Sequence, residues 1–380
     1  ITDGCEAPGV IYGNGLDFLL GYKLLSCIEA QNQNNISGIA GNPYLQHTGA
    51  QDIAQMITPF QNFQQFTNKI QDTVCPPDGS SCLNISNIQS SLPPSCICLG
   101  DAYTNDGQTI TCNTPHQTLS SSCPSYYIEG IFSDNGNGLS LNNQNLYVLG
   151  GVSITGPLSL TNATLATDGI QTFDSTITAT NSNIYTTGGV MTIEPGTVLS
   201  STNIYNNIGG ITFNTAHGQD ITADLCGGNP CTSANDSIVF TNGIININGP
   251  IQGGLLYGNG GLSISGVNGN REVGTLTEPT VAISGIGTNA SMSIDMRGTT
   301  QFNGLIMAWL LGNFTIGNNQ INGAMYANNL LSFSVGGNAS INFNYAVLQA
   351  ITNAFPNLFI PINCYSQGPQ QTMFNAVTIY

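Results

Sequence analysis

From residue 126 onward, apolar and polar positions alternate in short runs rich in Ile, Thr, Val and Ser, with Gly and Asn between them. Period-two alternation bounded by turn residues predicts β-strands with one buried face. Such strands fit either a sandwich or a solenoid, and internal repeats decide between the two. Repeats are present. Asn145-Leu-Tyr-Val-Leu-Gly-Gly-Val-Ser-Ile154 matches Asn183-Ile-Tyr-Thr-Thr-Gly-Gly-Val-Met-Thr-Ile193 and Asn203-Ile-Tyr-Asn-Asn-Ile-Gly-Gly-Ile-Thr-Phe213. A weaker copy starts at Asn162, so the starts lie 17, 21 and 20 residues apart. Further on, 303–316 matches 322–335 at a gap-free spacing of 19, and 248–264 is a looser copy. A period near 20 with two or three strands per repeat predicts one coil of a parallel β-solenoid, whose strands stack on the next coil at about 4.8 Å. Apolar positions then stack into a continuous core. Gly and Asn take the corners, and stacked Asn side chains can hydrogen-bond along the axis.

The chain before residue 126 has a different pattern. Leu16, Phe18, Leu19, Leu20, Tyr22, Leu24, Leu25, Cys27 and Ile28 predict a first helix. A second runs over 50–74, where Ile53, Met56, Ile57, Phe60, Phe63, Phe66 and Ile70 recur every three or four residues. Pro59 is placed to kink or split it. The aromatic stripe reads as a helix-packing core, with a docking face for a neighbouring subunit as the alternative. Residues 75–125 carry Pro, Ser and Cys without periodicity and read as disulfide-stapled loops. The fold class is therefore mainly β. It comprises a Cys-rich, partly helical N-terminal domain over 1–125, a parallel β-solenoid over 126–350, and a capping or strand-exchange segment over 351–380. Solenoid ends must be capped or they stack onward. The helical region is a candidate for one end. The alternating, chargeless segment 372–380 is a candidate final strand, paired within its own subunit or added to a neighbour.

Composition narrows the function. Gly and Asn each number 46 of 380 residues, and only 6% are charged. Four Lys and Arg against twenty Asp and Glu give a net charge of −16. Four cations cannot neutralise a phosphate backbone, so nucleic acid is not an expected partner. Anionic headgroups would repel the chain, and its densest apolar patch, 305–311, is too short to span a bilayer, so no membrane insertion is expected. A chain that starts at Ile1 is what removal of a signal peptide would leave.

Eleven cysteines and three histidines point to disulfides in an oxidising compartment rather than to a metal site or cofactor. The disulfide candidates are Cys5, Cys27, Cys75, Cys82, Cys96, Cys98, Cys112, Cys123, Cys226 and Cys231. Two of the spacings, Cys75 to Cys82 and Cys226 to Cys231, suit short closed loops. Cys364 is left over, open to a bond between chains or back to the N-terminal part. Glycosylation sequons stand at Asn35, Asn84, Asn162, Asn235, Asn289, Asn313 and Asn338.

Solenoids also host polysaccharide-active enzymes, which need clustered carboxylates. The acids after residue 125 are sparse, and Asp174 and Glu194 read as solvated turn residues unless they stack. Asp174 and Glu194, one period apart, are the one pair placed to stack. No nucleophile elbow, P-loop or His-Glu-x-x-His is present. No catalytic residue is assigned.

Segment 303–349 carries Phe302-Asn-Gly-Leu-Ile306, Gly317-Asn-Asn-Gln-Ile-Asn-Gly-Ala-Met-Tyr-Ala327 and Gly337-Asn-Ala-Ser-Ile-Asn-Phe-Asn-Tyr345. This resembles the β-solenoid tail of type IV pilus-associated surface proteins, without the hydrophobic pilin helix of that family. The composition is similar to that of microbial extracellular sheath proteins. Both resemblances imply extracellular structure. The expected function is a secreted, self-assembling subunit of a filament, sheath or surface layer, with copies of itself as partners. The alternative is a surface adhesin binding glycans or other surface proteins, and a polysaccharide-active enzyme comes third.

Overall fold

The computed structural model describes residues 10–12, 63–75, 85–359 and 377–378, except 170, 215–221, 229, 265–271, 286–290, 298–300, 318–319, 331–332 and 337–339. The described residues are mainly β with few helices, and the strands form a parallel β-solenoid of about 8 turns. Each regular coil places one strand on each of three faces. The coil Asn145–Val148, Val152–Ile154 and Leu158–Thr161 is typical. Its successor is Thr164–Thr167, Gln171–Ser175 and Ile177–Thr180, paired with it strand by strand in parallel register.

Alternation within each strand sends one set of side chains inward. On the first face the register stacks Tyr126, Leu146, Leu165, Ile184, Ile204, Val239, Leu256, Ala282 and Ile306 in one column. All are buried. Leu141, Leu160, Ala179 and Leu199 form the matching column on the third face. Each fully buried Leu or Ile is worth roughly 1.5–3 kcal/mol, so the stack is one continuous stabilising core. The gap-free match from Asn303 to Asn322 is the register of the ladder itself. The weaker repeat is placed differently from its expected start. Thr164, not Asn162, stands opposite Asn145 and Asn183 within the column of strands. Asn162 belongs to a corner column with Asn143 and Asn181, all three in the left-handed region with φ near 50°.

The parallel ladder begins upstream of the expected boundary at residue 126. Ile97–Cys98 pairs with 127–128, and Ala102–Tyr103 pairs with Phe132–Ser133. An antiparallel meander, Ala102–Tyr103, Thr111–Cys112 and Gln117–Thr118, covers this end. Disulfides Cys96–Cys123 and Cys98–Cys112 staple it. Helix α1 (Phe63–Val74) is the described part of the second expected helix, and Pro76 and Pro77 follow its last turn. The expected helix around 16–28 lies outside the described residues. Helix α1 packs on the side of the solenoid, against strands Asn203–Asn206 and Ile238–Thr241 of the first face. Its apolar stripe is thus intramolecular core: Phe66, Ile70 and Val74 are fully buried.

At the other end the corners straighten, and strands of successive faces merge into Gln301–Gly317 and Gln320–Leu330. Helix α2 (Tyr345–Ala354) then crosses the expected boundary at 350. Its N-cap Asn344 accepts a hydrogen bond from the Val347 N–H. It packs against those two merged strands, and Phe66 of α1 meets Phe359 just beyond it, ring centroids 5.4 Å apart.

Candidate functional site

Three regions of the solenoid surface carry side chains arranged by the coil rather than by local sequence: the first face, the corners and the two ends. On the first face the outward column runs Tyr127, Tyr147, Ala166, Tyr185, Tyr205, Phe240, Tyr257, Ile283 and Met307. Tyr205, Phe240 and Tyr257 stack ring on ring, with centroids 5.2 and 4.8 Å apart. Beside them Ile238, Leu255, Val281 and Leu305 are buried as well, so toward the C-terminal end this face is apolar on both sides. The dense patch 305–311 therefore starts in a strand covered on both surfaces. Ile85 and Leu92 cover Tyr127 and Ala166, and α1 covers the next rungs, with Gln71 Nε2 donating to the Tyr205 hydroxyl at 3.5 Å. Burial pushes the phenols of Tyr185 and Tyr257 up to about 12, with the neighbouring Tyr147 adding to the effect at Tyr185.

The corners hold hydrogen-bonded polar ladders. Asn181 Nδ2 donates to Asn162 Oδ1 at 2.8 Å, and Asn162 Nδ2 donates to Asn143 Oδ1 at 3.1 Å. Asn259, Asn242 and Asn207 form a second run, and Asn322 donates to Asn303 in a third. Inside the corner after the first face, Thr167, Thr186, Asn206 and Thr241 are fully buried, and their side chains donate to backbone carbonyls. Ser284, in the same column, has a buried hydroxyl without a hydrogen-bond partner.

Asp174 is exposed, in line with the solvated-turn reading, but two other acids are enclosed by the coils. Asp134 is wholly buried, and its carboxylate accepts from the N–H groups of Gly136 and Gly138 in its own coil and of Thr155 and Gly156 in the next. Burial alone would raise its pKa, but these donors outweigh it and hold the acid below its usual value. The expected stack of Asp174 on Glu194 does not form: the register sets Asp174 opposite Thr192, and Glu194 Oε1 accepts from Asn214 instead. Asp236 lies against the disulfide Cys226–Cys231, with Cys226 Sγ 3.7 Å from its Oδ1. Its Oδ2 is sealed from solvent without a hydrogen-bond partner, and burial pushes its pKa well above the usual carboxylate range. Both sulfurs and this carboxylate fall within 4.8 Å of one another, but the sulfurs are bonded to each other and leave a single ligand for a metal. Sequence reasoning singled out neither Asp134 nor Asp236. The run Asp134-Asn-Gly-Asn-Gly138 was the available signal for the first, since tightly turned backbone N–H groups need an acceptor.

Among the expected disulfides, Cys226–Cys231 closes the short loop predicted for it. Cys75 is disulfide-bonded, while Cys5, Cys27, Cys82 and Cys364 lie outside the described residues. Of the sequons, Asn162 is exposed at its corner and Asn235 is half-buried, its Oδ1 accepting from the Thr232 N–H. Asn313 sits in the merged strand opposite Ser293. Asn35, Asn84, Asn289 and Asn338 lie outside the described residues.

The ends differ. The N-terminal end carries the disulfide-stapled meander. Beside it lies an open cleft of about 380 Å³ lined by Asp101, Tyr103, Asn113, Ile131, Ser133 and Asn135. The Tyr103 ring stacks on His116 there, centroids 6.3 Å apart. At the C-terminal end, Val377–Thr378 adds antiparallel to Ser340–Ile341 of its own chain, and Val10–Tyr12 adds parallel to 325–327.

No family model, curated protein or solved structure matches the chain. Among the described residues, no helix is long and apolar enough to cross a membrane. That and the paired cysteines are compatible with a secreted protein.

Proposed function

We propose that the protein is a secreted structural subunit that polymerises into an extracellular filament, sheath or surface layer. The observation that carries this reading is the asymmetry of the solenoid ends. Among the described residues, one end is closed covalently by two disulfides, and the other by the two- and three-residue strands Val377–Thr378 and Val10–Tyr12. Strand edges closed so lightly are templates for pairing with another copy. A backbone bonded rung to rung, with Asn ladders outside and buried Thr inside, suits a protein exposed to proteases. The test is negative-stain electron microscopy of the protein taken from its native surface before any reductant is added. Regular filaments, tubes or sheets are expected, and dispersed monomers would overturn the reading.

The cleft beside Tyr103 favours a second reading, a glycan-binding surface protein. An aromatic ring flanked by Asp and Asn side chains is suited to a sugar, whose C–H face packs on the ring while its hydroxyls meet the amides and carboxylate. Binding to a glycan array is then expected, with at least about tenfold loss in Tyr103→Ala, the equivalent of one ring contact. No binding, or equal binding by the variant, removes this reading.

A further inference from the structure

The strand Val10–Tyr12 occupies the position where the next coil of the solenoid would place its first-face strand. Val10 stands opposite Met325, Ile11 opposite Tyr326 and Tyr12 opposite Ala327, in the parallel sense of every rung before it. Residues 10–12 thus continue the first face beyond the strand Gln320–Leu330. The same strand on a second copy would make the same backbone hydrogen bonds, because pairing depends on the strand and the edge and not on the connection between them. A neighbour's copy of the strand therefore competes with the chain's own once subunits are crowded together. The opposite end of the solenoid is unsuited to such exchange, since its cover is held by Cys96–Cys123 and Cys98–Cys112.

We propose that, in the assembled state, Val10–Tyr12 of one copy adds to the 325–327 edge of the next, so that each subunit finishes its neighbour's solenoid. The inference rests on the self-assembly reading above and names its contact. Donor strand and acceptor edge are different parts of the chain, so the contact is heterologous. Relayed in one direction, it propagates as an open polymer, whereas reciprocal exchange closes into a dimer. In the lone chain the same strand folds back on its own edge, which protects that edge until copies meet.

Two measurements test this on the full chain. First, chains carrying Ile11→Cys are mixed with chains carrying Tyr326→Cys under polymerising conditions and treated with a short bis-maleimide, which alkylates one thiol at each end, with wild-type protein as the blank. A product of twice the chain mass is expected. Cross-linking only within a single chain carrying both substitutions would overturn the exchange. Second, Val10→Pro/Ile11→Pro removes two adjacent strand N–H groups. One of them must point at the edge, because successive N–H groups alternate in direction. The lone chain should keep its circular dichroism while polymer yield falls about tenfold, the equivalent of one lost hydrogen bond. Undiminished polymer from this variant overturns the exchange and leaves self-assembly standing. Wild-type protein that never polymerises overturns both.

Discussion

At Asp134 a single carboxylate stands in for the partners that a tight corner denies its backbone. Gly136 and Gly138 turn with φ of 77° and 85°, and their N–H groups face inward, where no strand can accept them. The same carboxylate takes the N–H groups of Thr155 and Gly156 and so ties two coils together. Asp134→Asn puts an amide where donors converge, and a destabilisation of about 2–3 kcal/mol is expected, the range for charged hydrogen bonds left unmade. The pH dependence has a definite sign. The folded acid has a depressed pKa, so its contribution is fully present above the unfolded value near 3.9 and is lost as pH falls through the folded value. Urea midpoints measured from pH 7 down to pH 2 should therefore converge for wild type and variant, and a constant gap would contradict the assignment. Asp236 has the opposite sign. Its pKa is raised, so stability falls as pH rises above the unfolded value near 3.9 and levels off only above the folded value. Asp236→Asn is expected to be the more stable protein at pH 8, with the difference vanishing below pH 4, and a less stable variant at pH 8 would refute this.

At the scale of the coil, the glycine corners set how closely rungs approach. A Cβ on Gly169 would overlap the carbonyl oxygen of Gly150 one coil below, whereas a Cβ on Gly188 meets nothing within 4 Å. Gly169→Ala is expected to cost roughly 3 kcal/mol, because the obstruction is backbone and cannot rotate away, while Gly188→Ala stays within about 0.5 kcal/mol. Thermal unfolding of the two variants side by side checks this, and equal melting temperatures would show that the corner yields. The same rung geometry explains what the sequence revealed. Copies such as 145–154, 183–193 and 203–213 were legible because inward Leu and Ile and outward Tyr recur in register. The copy at Asn162 was displaced by two residues because the Asn corner column is itself periodic, and Asn162 aligns with Asn143 and Asn181. The start of the ladder at Ile97 was hidden because two-residue strands between cysteines carry no alternation. Asp134 and Asp236 were illegible for a different reason. Which acid becomes buried depends on the coil stacked beside it, and a single sequence window does not contain that coil.

At the scale of the molecule, the first face explains why helices belong to this solenoid at all. The stripe of α1 announced an apolar partner but not its place, and the end of the solenoid was the expected one. The partner is instead the outward column Tyr205, Phe240 and Tyr257 on the side, where Phe66 also meets Phe359 from beyond α2. Segments from both ends of the chain are thus held together over one face, next to the edge that Val10–Tyr12 finishes. Because each coil contacts mainly its neighbours, this covering layer should loosen without unfolding the coils beneath it. Phe66→Ala removes a wholly buried ring, a change that costs about 3–5 kcal/mol in a packed core. Limited proteolysis of the variant should cleave α1 from the chain while a fragment containing the coils from Ile97 to Phe343 survives. The phenol of Tyr257, now at about 12, should then titrate closer to 10, followed by its ultraviolet absorbance. Loss of the coils together with α1 would show instead that the covering layer is part of the solenoid's own cooperative unit. Assembly through the C-terminal edge would then require the whole molecule to open.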